Sequence, residues 1–497
     1  MMAQLIYHST RGDDLAVTAA EAILSGIAAD GGLYVPAEIP LLTTPLHELA
    51  QLDYQQLAVS VLRLFLTDFT EEELREAVAA AYNNRFDTAE IAPVVEHGGV
   101  RYLELFHGPT LAFKDMALAL LPYLMKLAAR KTGLDKEVVI LTATSGDTGK
   151  AALEAFAGVE GTRIIVFFPE QGVSPVQKQQ MVTQAGNNTF VIGIEGNFDD
   201  AQSGVKQLFT DRKLLDAMAG KDLVFSSANS INIGRLIPQV VYYWHAYLRV
   251  MADGGVQAGE PLDFAVPTGN FGNILAGYYA KMMGLPVGTL ICASNENRVL
   301  SDFFASGVYN KEREFYLTSS PSMDILVSSN LERLLWQICG KSSAQVTDLM
   351  QQLASLGRYQ ISEAMKRNLT DFVGGHATEE ETSQAIRQVH ETAGYLLDPH
   401  TAVAYNVWEK YRQKTGSKTP AVVVSTASPY KFTKDVMQAL NPQYADGEDF
   451  ALFAEMEKIT AVPVPAVVRG LASRPVLHKR VCKKAEMQLV VESILGL

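Results

Sequence analysis

The sequence predicts an α/β protein built on mostly parallel, buried sheets, preceded by a helical N-terminal region. Three observations point that way. Short apolar runs rich in β-branched residues recur from about residue 100 onward, at 138–141, 163–168, 190–194, 264–267 and 421–424. Most are followed by a Gly/Ser/Asn/Thr loop and then a helical pattern, the signature of βαβ units with strands covered on both faces. At 497 residues the chain also exceeds what one hydrophobic core usually supports, so at least two domains or lobes are expected.

Taken in order, residues 1–95 read as a helical domain. Over 46–66, Ala50, Tyr54, Leu57, Val61 and Leu64 recur at alternating four- and three-residue steps, which predicts one amphipathic helix. Residues 96–440 carry the strand–loop–helix alternation. Residues 441–497 change character again. They are rich in Pro and Val at 462–465, then basic (His478, Lys479, Arg480, Lys483, Lys484), and end in an amphipathic helix. This tail reads as an appendage packed on the main body.

Composition narrows the partners. A net charge of -13 argues against nucleic acid or an anionic membrane, both of which need a basic footprint. An anionic substrate must then be met by a local pocket of donors. The three cysteines (Cys292, Cys339, Cys482) are widely spaced, so neither a disulfide framework nor a zinc site is expected, and a reducing compartment fits. The N-terminus lacks an apolar signal core, and no run approaches the roughly 18 apolar residues of a spanning helix. The expectation is a cytoplasmic protein, monomeric or at most homodimeric, with the monomer favoured.

Four segments carry the chemistry. In the first, Glu104-Leu-Phe-His-Gly-Pro-Thr-Leu-Ala-Phe-Lys114-Asp115, one lysine is set into an apolar stretch at a helix start. Desolvation and the helix dipole should depress its pKa, as a Schiff-base lysine requires. Read alone, it is far more simply a snorkelling surface lysine, and only the company it keeps overturns that reading. The second is Thr144-Ser145-Gly146-Asp147-Thr148-Gly149-Lys150. Its spacing fails the P-loop pattern, which needs four residues between the glycines and a Ser or Thr after the lysine. What remains is a hydroxyl-rich turn at a helix N-terminus, suited to a carboxylate or simply a well-capped βα turn. The third, Gly269-Asn270-Phe271-Gly272-Asn273, opens a helix with backbone N–H groups outward and fits a phosphate dianion. The fourth gathers Asn229, Ser230, Asn232 and Arg235 within a few residues, where a guanidinium fork and amides suit a second phosphate. A plain polar helix start explains that segment too. Jointly, an activatable lysine, a carboxylate loop and two phosphate cradles match a pyridoxal-phosphate enzyme acting on a phosphorylated amino acid.

These segments, with Ser25-Gly-Ile-Ala-Ala-Asp30-Gly-Gly-Leu-Tyr34-Val-Pro, Asp398-Pro-His400-Thr-Ala and Ser425-Thr426-Ala-Ser-Pro-Tyr-Lys431-Phe, make the chain resemble the threonine synthases over most of its length. Those are pyridoxal-phosphate enzymes of fold type II, with the two-lobed architecture of the tryptophan synthase β-subunit. The resemblance implies that Lys114 binds the cofactor and shuttles protons. It implies that Gly269, Asn270, Phe271, Gly272 and Asn273 hold the cofactor phosphate, and that Thr426 faces the pyridine nitrogen. Ser145, Asp147 and Thr148 would frame the substrate carboxylate, with neighbouring N–H groups doing the holding because Asp147 itself repels an anion. Asn229, Ser230, Asn232 and Arg235 would bind the substrate phosphate. The implied reaction converts O-phospho-L-homoserine and water to L-threonine and phosphate by γ-elimination and β-hydration. One departure stands out: Ser428-Pro429-Tyr430 replaces the His-Pro-Ala of many members. A dehydratase or cysteine synthase of the same fold would have no use for Arg235 and its neighbours. A non-catalytic binding protein would have no use for Lys114.

Overall fold

The five apolar runs all lie in strands of the structure, a computed structural model that describes residues 4–12, 16–144, 146–171 and 173–497. In chain order the strands are β1 (Tyr7–Ser9), β2 (Tyr34–Pro36), β3 (Val94–His97), β4 (Val100–Glu104), β5 (Glu137–Ala143), β6 (Thr162–Pro169), β7 (Thr189–Glu195), β8 (Leu223–Ser226), β9 (Leu262–Pro267), β10 (Val287–Ser294), β11 (Val308–Asn310), β12 (Arg358–Gln360), β13 (Phe372–His376), β14 (Ala421–Ser425) and β15 (Val481–Lys483). Two parallel sheets dominate. The first has the order β13-β10-β9-β14-β4-β3 and is parallel except for the hairpin pair β3–β4. The second, β15-β7-β6-β5-β8, is parallel throughout. The strands β5, β9 and β14 are buried along almost their whole length, which is why they read as continuous apolar runs and not as alternating ones.

The N-terminal region is helical, with the small antiparallel pair β1–β2 added. The single helix expected over 46–66 is broken. A short helix Leu46–Leu49 stops, and a second begins at Tyr54–Phe65, because Asp53 and Gln56 form a reciprocal capping box. Apolar periodicity continues across the break and conceals it. This region shares one apolar core with the body, where Phe65 stacks on Tyr279 and the Tyr82 hydroxyl donates to the Met116 carbonyl at 2.6 Å.

The tail packs on both lobes of the body. Its helix Asp449–Thr460 packs on the helix Thr433–Leu440 that follows β14, with Phe453 edge-on to Tyr430. Further on, β15 extends the second sheet beside β7, and the helix Met487–Leu495 buries Met487, Val490, Val491 and Leu495 against β5 and β6 residues. The Tyr430 departure from the family pattern serves this tail, because its fully buried ring donates its hydroxyl to the Val462 carbonyl at 2.6 Å. Among the described residues no helix is long and apolar enough to cross a membrane.

Candidate active site

Three neighbouring strands of the first sheet, β9, β14 and β4, deliver the 269–273 loop, Thr426 and the 105–114 loop at one end. Two neighbouring strands of the second sheet, β5 and β8, deliver Asp147 and the 227–235 segment. Crevices at the carboxyl ends of parallel strands are where open α/β sheets bind ligands.

Lys114 is placed by a tightly laced loop. The Leu105 and Phe113 N–H groups donate to the Ser425 and Thr426 carbonyls, and the Ser428 N–H donates back to the Leu111 carbonyl. Leu111 is held at φ 60, a left-handed conformation that a leucine adopts only under constraint. Asp115 sets the turn by accepting the Thr110 N–H at 2.7 Å and its hydroxyl at 2.6 Å. Burial pushes the Asp115 carboxyl up to about 6. Further along the loop, His107 bridges Asp87 at 2.5 Å and Glu104 at 2.9 Å. Burial alone would lower the imidazole, but the two carboxylates raise it to about 9.

The buried Lys114 amine meets the second lobe. It lies 3.3 Å from Asp147 Oδ2 and 3.1 Å from Ser322 Oγ, and the Ser322 hydroxyl in turn donates to Asp147 Oδ2 at 3.2 Å. Desolvation lowers the Lys114 pKa; Asp147 opposes this, while Lys431 and Arg235 push further down. Burial alone would raise the Asp147 carboxyl, yet Lys431 at 2.9 Å and Lys114 together hold it well below the usual carboxylate range. Among the described residues, the remaining Asp147 side-chain partner is the Gln177 amide, donating at 2.8 Å.

The carboxylate loop is partly self-satisfied. The Thr144 hydroxyl accepts the Gly146 and Gly149 N–H groups, at 3.0 and 2.9 Å, so those two donors are not available to a ligand. Asp147 is the counter-ion of two lysines, and Thr148 is half-buried beside it. Ser145 lies outside the described residues.

The 269–273 loop is clamped from behind. The Ser328 hydroxyl donates to the Gly269 carbonyl at 2.7 Å, and the Asn330 N–H and amide both donate to the Asn270 carbonyl. Asn330 is itself held by the fully buried Arg333, which also donates to the carbonyls of Tyr34 and Ile231. Phe271 sits at φ 64 and turns the chain into the helix Gly272–Met282, whose first-turn N–H groups lack intrahelical partners. Asn273 accepts from Tyr242 and Tyr243 at 2.7 and 2.8 Å, and its buried Nδ2 has no partner. Asn270 is exposed.

In the fourth segment, Asn229 and Ser230 are half-buried. Asn232 corrects the sequence reading. Its amide donates to the Ile23 and Ser227 carbonyls, and its oxygen accepts the Gly234 N–H as the cap of the helix Ile233–Ala252. With both donors committed within the fold, this side chain shapes the segment and does not reach an anion. Arg235 is different. It is 3% exposed, donates once to the Ala228 carbonyl, leaves Nε unpartnered and forms no ion pair with any described carboxylate. Burial lowers its pKa to about 10.

Sequence reasoning did not assign roles to Ser322, Lys431, Gln177 or His400. Lys431 and His400 lie in motifs that carried the resemblance, which was a usable signal. Ser322 and Gln177 carried none.

A buried lysine at the facing ends of two largely parallel sheets is the arrangement of pyridoxal-phosphate-dependent enzymes of fold type II. The sequence profile described as "Pyridoxal-phosphate dependent enzyme" matches residues 100–428. Those described as "Threonine synthase N terminus" and "Threonine synthase, C-terminal" match residues 6–82 and 401–490. The threonine synthase of Pseudomonas aeruginosa is 39% identical over 475 residues, covering 92% of this chain and 95% of its own. Human threonine synthase-like 1 is 42% identical over 433 residues, covering 84% of this chain; the chain spans only 58% of that relative's length. The crystal structure of PLP-bound threonine synthase from Brucella melitensis superposes with a TM-score of 0.87 at 39% identity, covering 99% of both chains. The chain belongs to the threonine synthase family.

The residues present fit the family's cofactor. An alanine at Gly269 would put its Cβ 2.5 Å from the Ser322 carbonyl oxygen, so the cradle admits only glycine there. The orphaned Asn273 Nδ2 and the helix N–H groups supply unsatisfied donors of the kind a phosphate requires.

Proposed function

We propose that this protein converts O-phospho-L-homoserine and water to L-threonine and phosphate. The observation that carries the reading is Arg235, a buried guanidinium with an orphan donor, no carboxylate partner among the described residues, and an electrostatic reach that extends to Lys114. A buried cation of this kind is costly unless an anion completes it, and a substrate phosphate is such an anion.

Pyridoxal phosphate, when bound, supplies the electron sink that allows the α- and β-protons of an amino acid to leave. Lys114 would hold it by its aldehyde carbon, Gly269, Asn270, Phe271, Gly272 and Asn273 by its phosphate, and Thr426 would face its ring nitrogen. The protein's own contribution follows from the geometry. Burial favours the neutral Lys114 amine, which can then accept the substrate α-proton. The helix Asp147–Phe156, with Thr148 in its first turn, offers its N-terminus to the substrate carboxylate while Lys431 balances the Asp147 charge. Asn229, Ser230 and Arg235 would grip the substrate phosphate, and the guanidinium stabilises charge as that group departs. A cysteine-poor chain supports a reducing, cytoplasmic setting.

The test is a discontinuous assay with the purified, cofactor-loaded protein and O-phospho-L-homoserine, following phosphate and the amino-acid product together. Equal amounts of phosphate and L-threonine support the proposal, and Lys114→Ala should abolish both. Phosphate with a keto acid would retain the cofactor chemistry and sink the synthase reading. Absence of phosphate would sink the reading of Arg235.

A further inference from the structure

We propose that Ser322 is a further catalytic residue, whose hydroxyl orients the Lys114 amine, and that His400, clamped by Asp398, is the positioning residue that places it. The inference rests on the reading of Lys114 as the group that exchanges the substrate α-proton.

A neutral amine has two N–H bonds and one lone pair. Ser322 Oγ at 3.1 Å and Asp147 Oδ2 at 3.3 Å take the two N–H bonds. The third tetrahedral position of Nζ is then directed away from both acceptors, and it is there that a proton is received from the substrate or returned to it. The amine becomes an ammonium on receipt and reverts on return, so no other reactant is needed. Loss of the Ser322 hydroxyl leaves the amine a single acceptor and free rotation about it, which degrades the alignment proton transfer requires.

Ser322 sits in a short turn, Pro321–Met323, between β11 and the helix Leu331–Ile338. Its N–H donates to His400 Nε2 at 3.2 Å, while His400 Nδ1 lies 2.9 Å from Asp398 Oδ1. A backbone N–H can only donate, so Nε2 carries the lone pair and Nδ1 the proton. This sets His400 as the neutral tautomer, with Asp398 fixing the ring from the other side. Asp398 is anchored in turn, accepting the His400 and Thr401 N–H groups and the Thr401 hydroxyl, which lies 3.1 Å from Ser425 Oγ beside Thr426. The imidazole packs on Phe432, with ring centroids 4.9 Å apart. The hydrogen bonds of the His400 ring run to Ser322 and Asp398, so its effect reaches the amine through Ser322. The charged groups acting on the amine itself are Asp147, Lys431 and Arg235.

Two measurements test this. The first follows exchange of the substrate α-proton for solvent deuterium by NMR, using loaded protein and O-phospho-L-homoserine. Ser322→Ala and His400→Phe should each slow exchange on the order of 10²-fold. The double variant should be no slower than either single, because the two act through one contact. Ser322→Thr, which keeps a hydroxyl, and His400→Gln, which keeps an acceptor near Nε2, should restore much of the rate. The second measurement is the pH profile for capture of pyridoxal phosphate by the cofactor-free protein, read by absorbance. Ser322 accepts from the ammonium form, so Ser322→Ala should move half-maximal capture to lower pH. Wild-type exchange in Ser322→Ala, or an unmoved capture profile, would overturn the role of Ser322. Additive losses in the double variant would overturn that of His400. If the wild type exchanges no α-proton, the functional reading falls, and the capture profile alone decides whether Ser322 holds the amine.

Discussion

Replacing Arg235 with methionine should make the ligand-free protein more stable while crippling the reaction. The guanidinium is 3% exposed, and burial lowers its pKa from the ordinary guanidinium range to about 10. At 1.36 kcal/mol per pH unit, that fall corresponds to about 3 kcal/mol of destabilisation from the buried charge. Because the folded-state pKa is depressed, the cost is present in full below pH 10 and is lifted only as the pH rises from about 10 toward the ordinary guanidinium range. Arg235→Met removes it across the working range and loses one hydrogen bond, to the Ala228 carbonyl, worth about 1 kcal/mol. The net gain is about 2 kcal/mol, measured by urea unfolding of the cofactor-free protein. With the 269–273 cradle filled by pyridoxal phosphate, inorganic phosphate at about 100 times its Kd should stabilise the wild type by roughly 2.7 kcal/mol and leave the variant unchanged. Two charge-assisted bonds to a substrate phosphate are worth about 3–6 kcal/mol, so kcat/KM should fall by about 10²–10⁴-fold. A variant less stable than the wild type that still gains stability from phosphate would refute the reasoning.

Two further predictions concern the loops that frame the cleft. Gly269→Ala forces a Cβ to within 2.5 Å of the Ser322 carbonyl oxygen, so the phosphate loop or the Ser322 turn must move. Cofactor affinity, followed by absorbance titration, should weaken by at least about tenfold and turnover by up to about 10²-fold; unchanged values would mean that the loop accommodates the methyl. His107→Gln should destabilise the protein at neutral pH and below, with the loss vanishing toward alkaline pH. The folded imidazole titrates at about 9, so its contribution is complete below about 6.5 and is lost as the pH rises through about 9. Asp87 is 59% exposed and screened by solvent, which reduces the expected wild-type advantage to about 1–2 kcal/mol at neutral pH. Unfolding curves from pH 6 to 10 should show the advantage shrinking, and a constant difference would contradict the assigned ion bridge.

Much of the architecture is written locally in the chain. A strand buried on both faces has to be apolar at consecutive positions, so 138–141, 163–168, 190–194, 264–267 and 421–424 announce themselves without reference to any partner. The loops after β5 and β9 are equally legible, because glycines and short polar residues are what a turn into a helix N-terminus demands. Lys114 is legible as a lysine out of place in an apolar stretch. The helix break at Asp53 is not, since apolar spacing runs on unchanged across a capping box. The course of the tail, which lends β15 to the far edge of the second sheet, is equally hidden in a segment of three residues.

The charge relations of the site belong to tertiary structure alone. Asp147 reads as an awkward neighbour for a carboxylate until Lys114, Lys431, Gln177 and Ser322 are seen around it, drawn from segments far apart in the chain. Asn232 and Arg235 share one polar segment and look interchangeable as anion ligands. The fold commits the amide of one to carbonyls and leaves the guanidinium of the other without a counter-ion. Spacing along a chain reports which face of an element is buried. The pairing of a buried charge depends on what the folded chain carries to within about 4 Å of it, where Coulomb energy in a poorly solvated cleft is largest.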